Sequence, residues 1–211
     1  MKNRKKDTRW LVGVAMLAAI IIVMANTPLG FIPLPITKAT TTHIPVILGA
    51  ILLGPMAGAI LGGVFGICYV VVNTFTPGLT AFAFSPFMST TGLSGAVKAL
   101  WVALGCRILL GVVAGWLWIA LKKVRVSDWL ALPVTGFVCT ILHTLMVMGS
   151  IFFLFTQQYA QARNVAMEAV SGLILATVTG NGIPEALLAM VLVTAIGKAL
   201  LRVNRVRTLP A

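Results

Sequence analysis

Three glycines recur every fourth residue, Gly58, Gly62 and Gly66, inside an apolar run that opens on Ala39-Thr40-Thr41-Thr42-His43 and breaks once at Gly54-Pro55. A spacing of four puts them on one helical face. A face without Cβ atoms lets a second helix approach backbone to backbone, as in the small-residue packing of membrane helices. The segment therefore predicts closely packed apolar helices beneath a polar rim.

Composition places those helices in a bilayer. Of 211 residues 59% are hydrophobic and 9% charged, whereas a soluble domain carries about 25% charged residues. Too few charges remain to build a water-facing surface, and the chain reads as one multi-pass membrane domain over 1–211 in the cell membrane. The net charge of +12 is clustered: Lys2, Arg4, Lys5, Lys6 and Arg9 precede the first apolar run, Lys122, Lys123 and Arg125 lie mid-chain, and Lys198, Arg202, Arg205 and Arg207 close it. Basic clusters flanking apolar runs orient a chain in the membrane, and this explains the high charge better than a nucleic-acid partner does. Cys68, Cys106 and Cys139 sit in apolar runs without C-x-x-C spacing, so neither a disulfide framework nor a metal site is predicted.

Six transmembrane helices in a compact all-α bundle are expected, at about 10–25, 43–53, 56–72, 94–121, 129–155 and 183–201, with outer loops 26–42, 73–93 and 156–182. Pro28, Gly30, Pro33 and Pro35 end the first helix. It reads as retained rather than cleaved, because no small-x-small site precedes Thr27-Pro28 and the chain stays apolar afterwards. Helices 2 and 3 form a tight hairpin at Gly54-Pro55. The loop rich in Pro, Gly, Ser, Thr and Phe folds back as a lid, and 160–177 is a possible surface helix. An even number of crossings with basic residues inside, and only Lys38 and Arg163 in the outer loops, predicts cytoplasmic termini.

Polar groups within these helices are the candidates for function, because their burial in lipid is costly. Arg107 lies below the outer end of helix 4. Glu185 lies in the first turns of helix 6, and Asn181, four residues earlier, shares its face. Arg107 and Glu185 either bind a polar ligand or pair with each other. Arg suits a carboxylate or phosphate because its guanidinium is a planar fork. Asn181 either caps its helix or faces the site. Thr42 and His43 open helix 2, where the threonines can cap it, and Asn73 ends helix 3 at the same rim. Phe82, Phe84 and Phe87 either cover an apolar ligand or pack at the membrane interface. His143, deeper in helix 5, reads as a structural histidine. Ala15 and Ala19 make a small-xxx-small face on helix 1, for packing or for a partner.

Catalytic motifs are absent. There is no G-x-x-x-x-G-K-[ST] loop, H-E-x-x-H or G-x-S-x-G, and the chain holds four acidic residues. No enzyme activity, catalytic residue, cofactor or metal is predicted. Ser150 with His143 does not make a hydrolase pair, since seven helical residues separate them by about 10 Å. A stand-alone secondary carrier or channel is the competing class. Neither internal duplication nor an intramembrane acid relay supports it.

The block Thr40 to Gly66, Ala15-xxx-Ala19, Phe84-Ser85-Pro86-Phe87, Arg107-Ile108-Leu109-Leu110-Gly111 and Asn181-Gly182-Ile183-Pro184-Glu185 together resemble the S components of energy-coupling factor (ECF) transporters, pantothenate-type nearest. The chain departs from that pattern at Gly105-Cys106, where close relatives carry proline before the arginine, and at Met56, where a charged residue is common. The resemblance implies a six-helix subunit without catalysis that captures a water-soluble vitamin at the outer face. Pantothenate is the best match; folate and cobalamin are the alternatives. It also implies a membrane complex with a transmembrane coupling subunit, contacted through Ala15 and Ala19, and two ATPase subunits. The pocket expected by depth and polarity is Thr42, His43, Asn73, Phe84, Arg107, Asn181 and Glu185.

Overall fold

The computed structural model describes residues 8–28, 30–33 and 38–208. The N-terminal cluster Lys2, Arg4, Lys5 and Lys6, and parts of the outer loop 26–42, lie outside the described residues, as do the side chains of Lys38, Arg205 and Arg207. Helix α1 spans Thr8–Ala25, α2 His43–Leu53, α3 Pro55–Phe75, α4 Gly92–Leu100, α5 Cys106–Lys123, α6 Asp128–Arg163, α7 Val170–Thr177 and α8 Ile183–Thr208. Five stretches are long and apolar enough to cross a membrane: Thr8–Ala25, Pro55–Phe75, Gly92–Lys123, Asp128–Arg163 and Met167–Val203; His43–Leu53 is apolar but shorter. The bundle is helical apart from an antiparallel ribbon of β1 (Phe31–Pro33) and β2 (Lys38–Thr40), with Phe31 opposite Thr40.

The hairpin at Gly54-Pro55 forms as the sequence predicts. Gly54 has φ +95°, and Pro55 starts α3 at a position where its missing N–H costs nothing. The glycine face of α3 then meets α5. A methyl group on Gly58 would strike the Gly111 carbonyl, and one on Gly62 would strike the Arg107 carbonyl. One on Gly66 would come within 2.8 Å of the Ala103 carbonyl oxygen. Helix α2 lies inside the bundle, with every residue from His43 to Ile51 buried. Helix α1 lies at its edge, burying only Val14, Ile21 and Ala25.

One expectation about loops is corrected. The segment 156–182 is mostly helical: α6 bends at Phe155 (φ −136°, ψ 23°) and runs on to Arg163. A π-helical turn, Val178–Gly182, joins α7 to α8 without a break. Likewise α4 and α5 are one rod joined by the π-helical turn Trp101–Gly105. Such wide turns are frequent at functional sites. The segment 73–93 folds into two short 3₁₀ turns, Ala81–Ala83 and Pro86–Met88, pinned to α3 by a 2.7 Å hydrogen bond between the Ser85 and Thr74 hydroxyls. Phe84 is buried beneath it, while Phe87 points outward, 79% exposed.

The two ends of the bundle differ. At one, Trp10 Nε1 donates to the Leu53 carbonyl (3.0 Å), Lys122 pairs with Asp128 (2.6 Å), and the Lys198 ammonium sits 3.8 Å from the centre of the Trp129 ring. The other end carries the ribbon, the 3₁₀ turns and a cavity.

Candidate functional site

Arg107 is 2% exposed at the start of α5. Its Nη1 donates to the carbonyls of Val102 (3.1 Å) and Ala103 (2.9 Å) in the preceding π turn. Its guanidinium carbon lies 3.8 Å from the ring centre of Tyr69, 4.7 Å from Phe65 and 5.7 Å from Phe84, all within cation–π range. The buried Nε has no hydrogen-bond partner. The aromatic rings partly compensate the charge, and the Tyr69 hydroxyl also hydrogen-bonds the guanidinium. What remains is a preoriented fork with unused donors.

That fork lines a cavity of about 330 Å³, within the range of roughly 300–1,000 Å³ usual for small-molecule sites. Of the seven residues expected there, the structure brings five together: Asn73, Phe84, Arg107, Asn181 and Glu185. Asn181 lies inside the π turn, so it caps no helix start. Asn73 donates its amide to the Tyr69 carbonyl (2.9 Å). The pairing of Arg107 with Glu185 does not form among the described residues. Instead Glu185 Oε1 accepts the backbone N–H of Thr40 at 2.8 Å, tying the end of β2 to α8.

Thr42 and His43 are not on the cavity wall. Thr42 does not cap α2 through its side chain; its hydroxyl donates to the Gly30 carbonyl (3.3 Å) and clips the ribbon in place. His43 is buried behind the wall, its ring stacked on that of His143. Because α2 is enclosed on all sides, polar residues at its start face the protein rather than the rim.

Among the wall residues outside the expected set are Thr40, Tyr69, His143 and Arg163, together with Tyr159 on the bent end of α6. A signal for the tyrosines existed. The chain has two, Tyr69 and Tyr159, and both line this cavity. Tyr69 also precedes Asn73 by four residues and so shares its face. Ser150, far from forming a hydrolase pair, places its hydroxyl 3.7 Å from the Cys106 sulfur.

The Glu185 contact makes a modest prediction. Glu185→Ala should free the ribbon, raising the rate of limited proteolysis around residues 30–42 several-fold and costing about 1–3 kcal/mol, the worth of a hydrogen bond to a charged group. Glu185→Gln, which keeps an acceptor oxygen, should lose less; equal proteolysis of all three proteins would refute the tie.

A buried arginine fork in a partly open cavity at one end of an apolar bundle is geometry suited to a small anion. A sequence profile described as "ECF transporter, substrate-specific component" matches residues 9–197. The chain belongs to this family. It is therefore a multi-pass membrane transport component. It is 34% identical over 194 residues, covering 89% of this chain and 92% of the relative, to a protein of Lactococcus lactis subsp. cremoris (strain MG1363) named pantothenic acid transporter PanT. It is 28% identical over 208 residues, 95% of each chain, to the pantothenate transporter PanT of Leuconostoc mesenteroides subsp. mesenteroides.

Proposed function

We propose that this S component captures pantothenate in the Arg107 cavity and hands it on for ATP-driven uptake by partner subunits. The observation that carries the reading is the buried guanidinium, its Nε without a partner, on the wall of a cavity lined also by apolar Val147, Met148, Ile151 and Leu79. A carboxylate would satisfy the fork, and the apolar strip suits a short branched hydrocarbon body. The volume lies near the lower end of the usual range and favours a small acid over folate or cobalamin.

The chain is one membrane domain with six passes, the short α2 included, and both termini on the cytoplasmic side. The supporting asymmetry is that Lys122, Lys123, Arg125, Lys198 and Arg202 gather at the end away from the cavity, as basic residues do on the cytoplasmic face. A transmembrane coupling subunit docks on α1, and two ATPase subunits supply the energy. Ala15 and Ala19 are both exposed on that edge helix, so a partner helix can approach closely there.

The test combines binding and uptake. The purified chain alone should bind pantothenate with micromolar or tighter affinity. Vesicles should accumulate it only when the coupling and ATPase subunits are present. Ala15→Trp should leave binding unchanged and reduce uptake at least about tenfold, because a bulky ring would hold two helices apart at a small-residue contact. Accumulation by the lone chain overturns the whole reading; full uptake by Ala15→Trp overturns the docking face.

A further inference from the structure

The chain has two histidines, and they meet: the rings of His43 on α2 and His143 on α6 stack with centroids 6.4 Å apart and planes 25° from parallel. His143 is 7% exposed, forms part of the cavity wall, and leaves its Nε2 buried with no hydrogen-bond partner. On another side its ring meets Phe65 at 6.3 Å, and that same Phe65 ring lies 4.7 Å from the Arg107 guanidinium carbon. One aromatic ring therefore spaces two unsatisfied polar groups around a single chamber. Buried polar groups without partners are rare in folded proteins and call for an explanation such as an absent ligand.

We propose that His143 is a specificity residue, whose imidazole hydrogen-bonds a hydroxyl group of the substrate while Arg107 holds its carboxylate. An imidazole can donate or accept, which suits a hydroxyl, itself both donor and acceptor. Arg107 already provides the positive charge that the carboxylate requires. His43 stacks behind His143 and fixes the plane of its ring, and buried Thr144 borders it on the same wall. The site thus selects hydroxylated acids over acids of the same length and shape that lack the hydroxyl. This inference rests on the reading that the cavity binds pantothenate.

The discriminating experiment measures binding of pantothenate and of an analogue with its hydroxyls replaced by hydrogen, to the wild-type protein, His143→Phe and His143→Gln. Wild type should prefer pantothenate by about 10- to 100-fold, since a site built for a hydroxyl is left with an unpaired buried group by the analogue. His143→Phe should bind the two ligands within about threefold of each other, and His143→Gln, which retains hydrogen-bonding atoms, should keep part of the preference. An undiminished preference in His143→Phe overturns the assignment. Failure of wild type to bind pantothenate at all sinks the underlying reading instead, and this inference with it. If His143→Phe does not fold, wild type labelled with ¹⁵N-histidine decides the matter. With two histidines the spectrum is simple, and pantothenate must shift the His143 ring nitrogens more than the analogue does; equal or absent shifts overturn the proposal.

Discussion

Arg107→Ala is expected to lower pantothenate affinity at least about 100-fold while leaving a monodisperse, helical protein. Truncating one partner of a buried, hydrogen-bonded charge pair costs about 2–5 kcal/mol, and each 1.4 kcal/mol is about tenfold. The fold should persist because, among the described residues, Arg107 makes no ion pair whose loss would leave a second charge stranded: it contacts two carbonyls of its own rod, three aromatic rings and the Tyr69 hydroxyl. Arg107→Lys separates charge from shape. It keeps a cation but loses the planar fork, so affinity should fall by about tenfold, between wild type and alanine. Titration calorimetry on the three proteins measures this. Equal affinity for Arg107→Ala and wild type would remove the guanidinium from the binding site. Loss of folding in Arg107→Ala alone, with Arg107→Lys folded and binding normally, would make the arginine a structural post.

Arg107 was legible in the sequence because a charge inside an apolar run has few reasons to be there, and Glu185 and Asn181 were legible for the same reason together with their spacing of four. What each would touch was not legible. Glu185 finds the backbone of Thr40, a partner 145 residues away that no spacing rule connects to it. Thr42 and His43 looked like rim residues because they open an apolar helix at a polar edge. Their true setting depends on α2 being walled in by its neighbours, a tertiary fact. The first π turn and the bend at Phe155 are equally silent in the sequence. Neither has a proline, whereas the second π turn precedes Pro184, whose ring displaces the Gly180 carbonyl four residues back. His143 was read as structural because its depth in α6 suggested a core position, and the structure brings the cavity down to it. The glycine face, by contrast, needed only a count of four, since helical geometry fixes which residues share a face whatever packs on them.

That face supports the second large prediction. Gly62→Ala is expected to destabilise the protein by at least about 3 kcal/mol, at the upper end of the cost of overpacking, and Gly63→Ala, one residue along, should be neutral or slightly stabilising. At Gly62 an added methyl would run into the Arg107 carbonyl oxygen and carbon and stand 3.0 Å from the Ile108 Cα. All of these are backbone atoms of α5, so no side chain can rotate aside and the two helices must separate. At Gly63 the nearest atom is the Ile108 Cγ1 at 3.9 Å, an ordinary contact, and alanine is the better helix former by about 1 kcal/mol. The two variants add the same atom to adjacent positions of one helix, so the change in helix propensity is matched and the difference isolates the packing at Gly62, which is buried, from that at the half-buried Gly63. The carbonyl that Gly62→Ala displaces belongs to Arg107. Whatever protein folds should therefore also bind pantothenate more weakly, whereas Gly63→Ala should bind it normally. Thermal unfolding in detergent and calorimetry on the two variants check both halves. Indistinguishable melting temperatures would mean that α3 and α5 do not approach through their glycines, and the position of the guanidinium would then need another explanation.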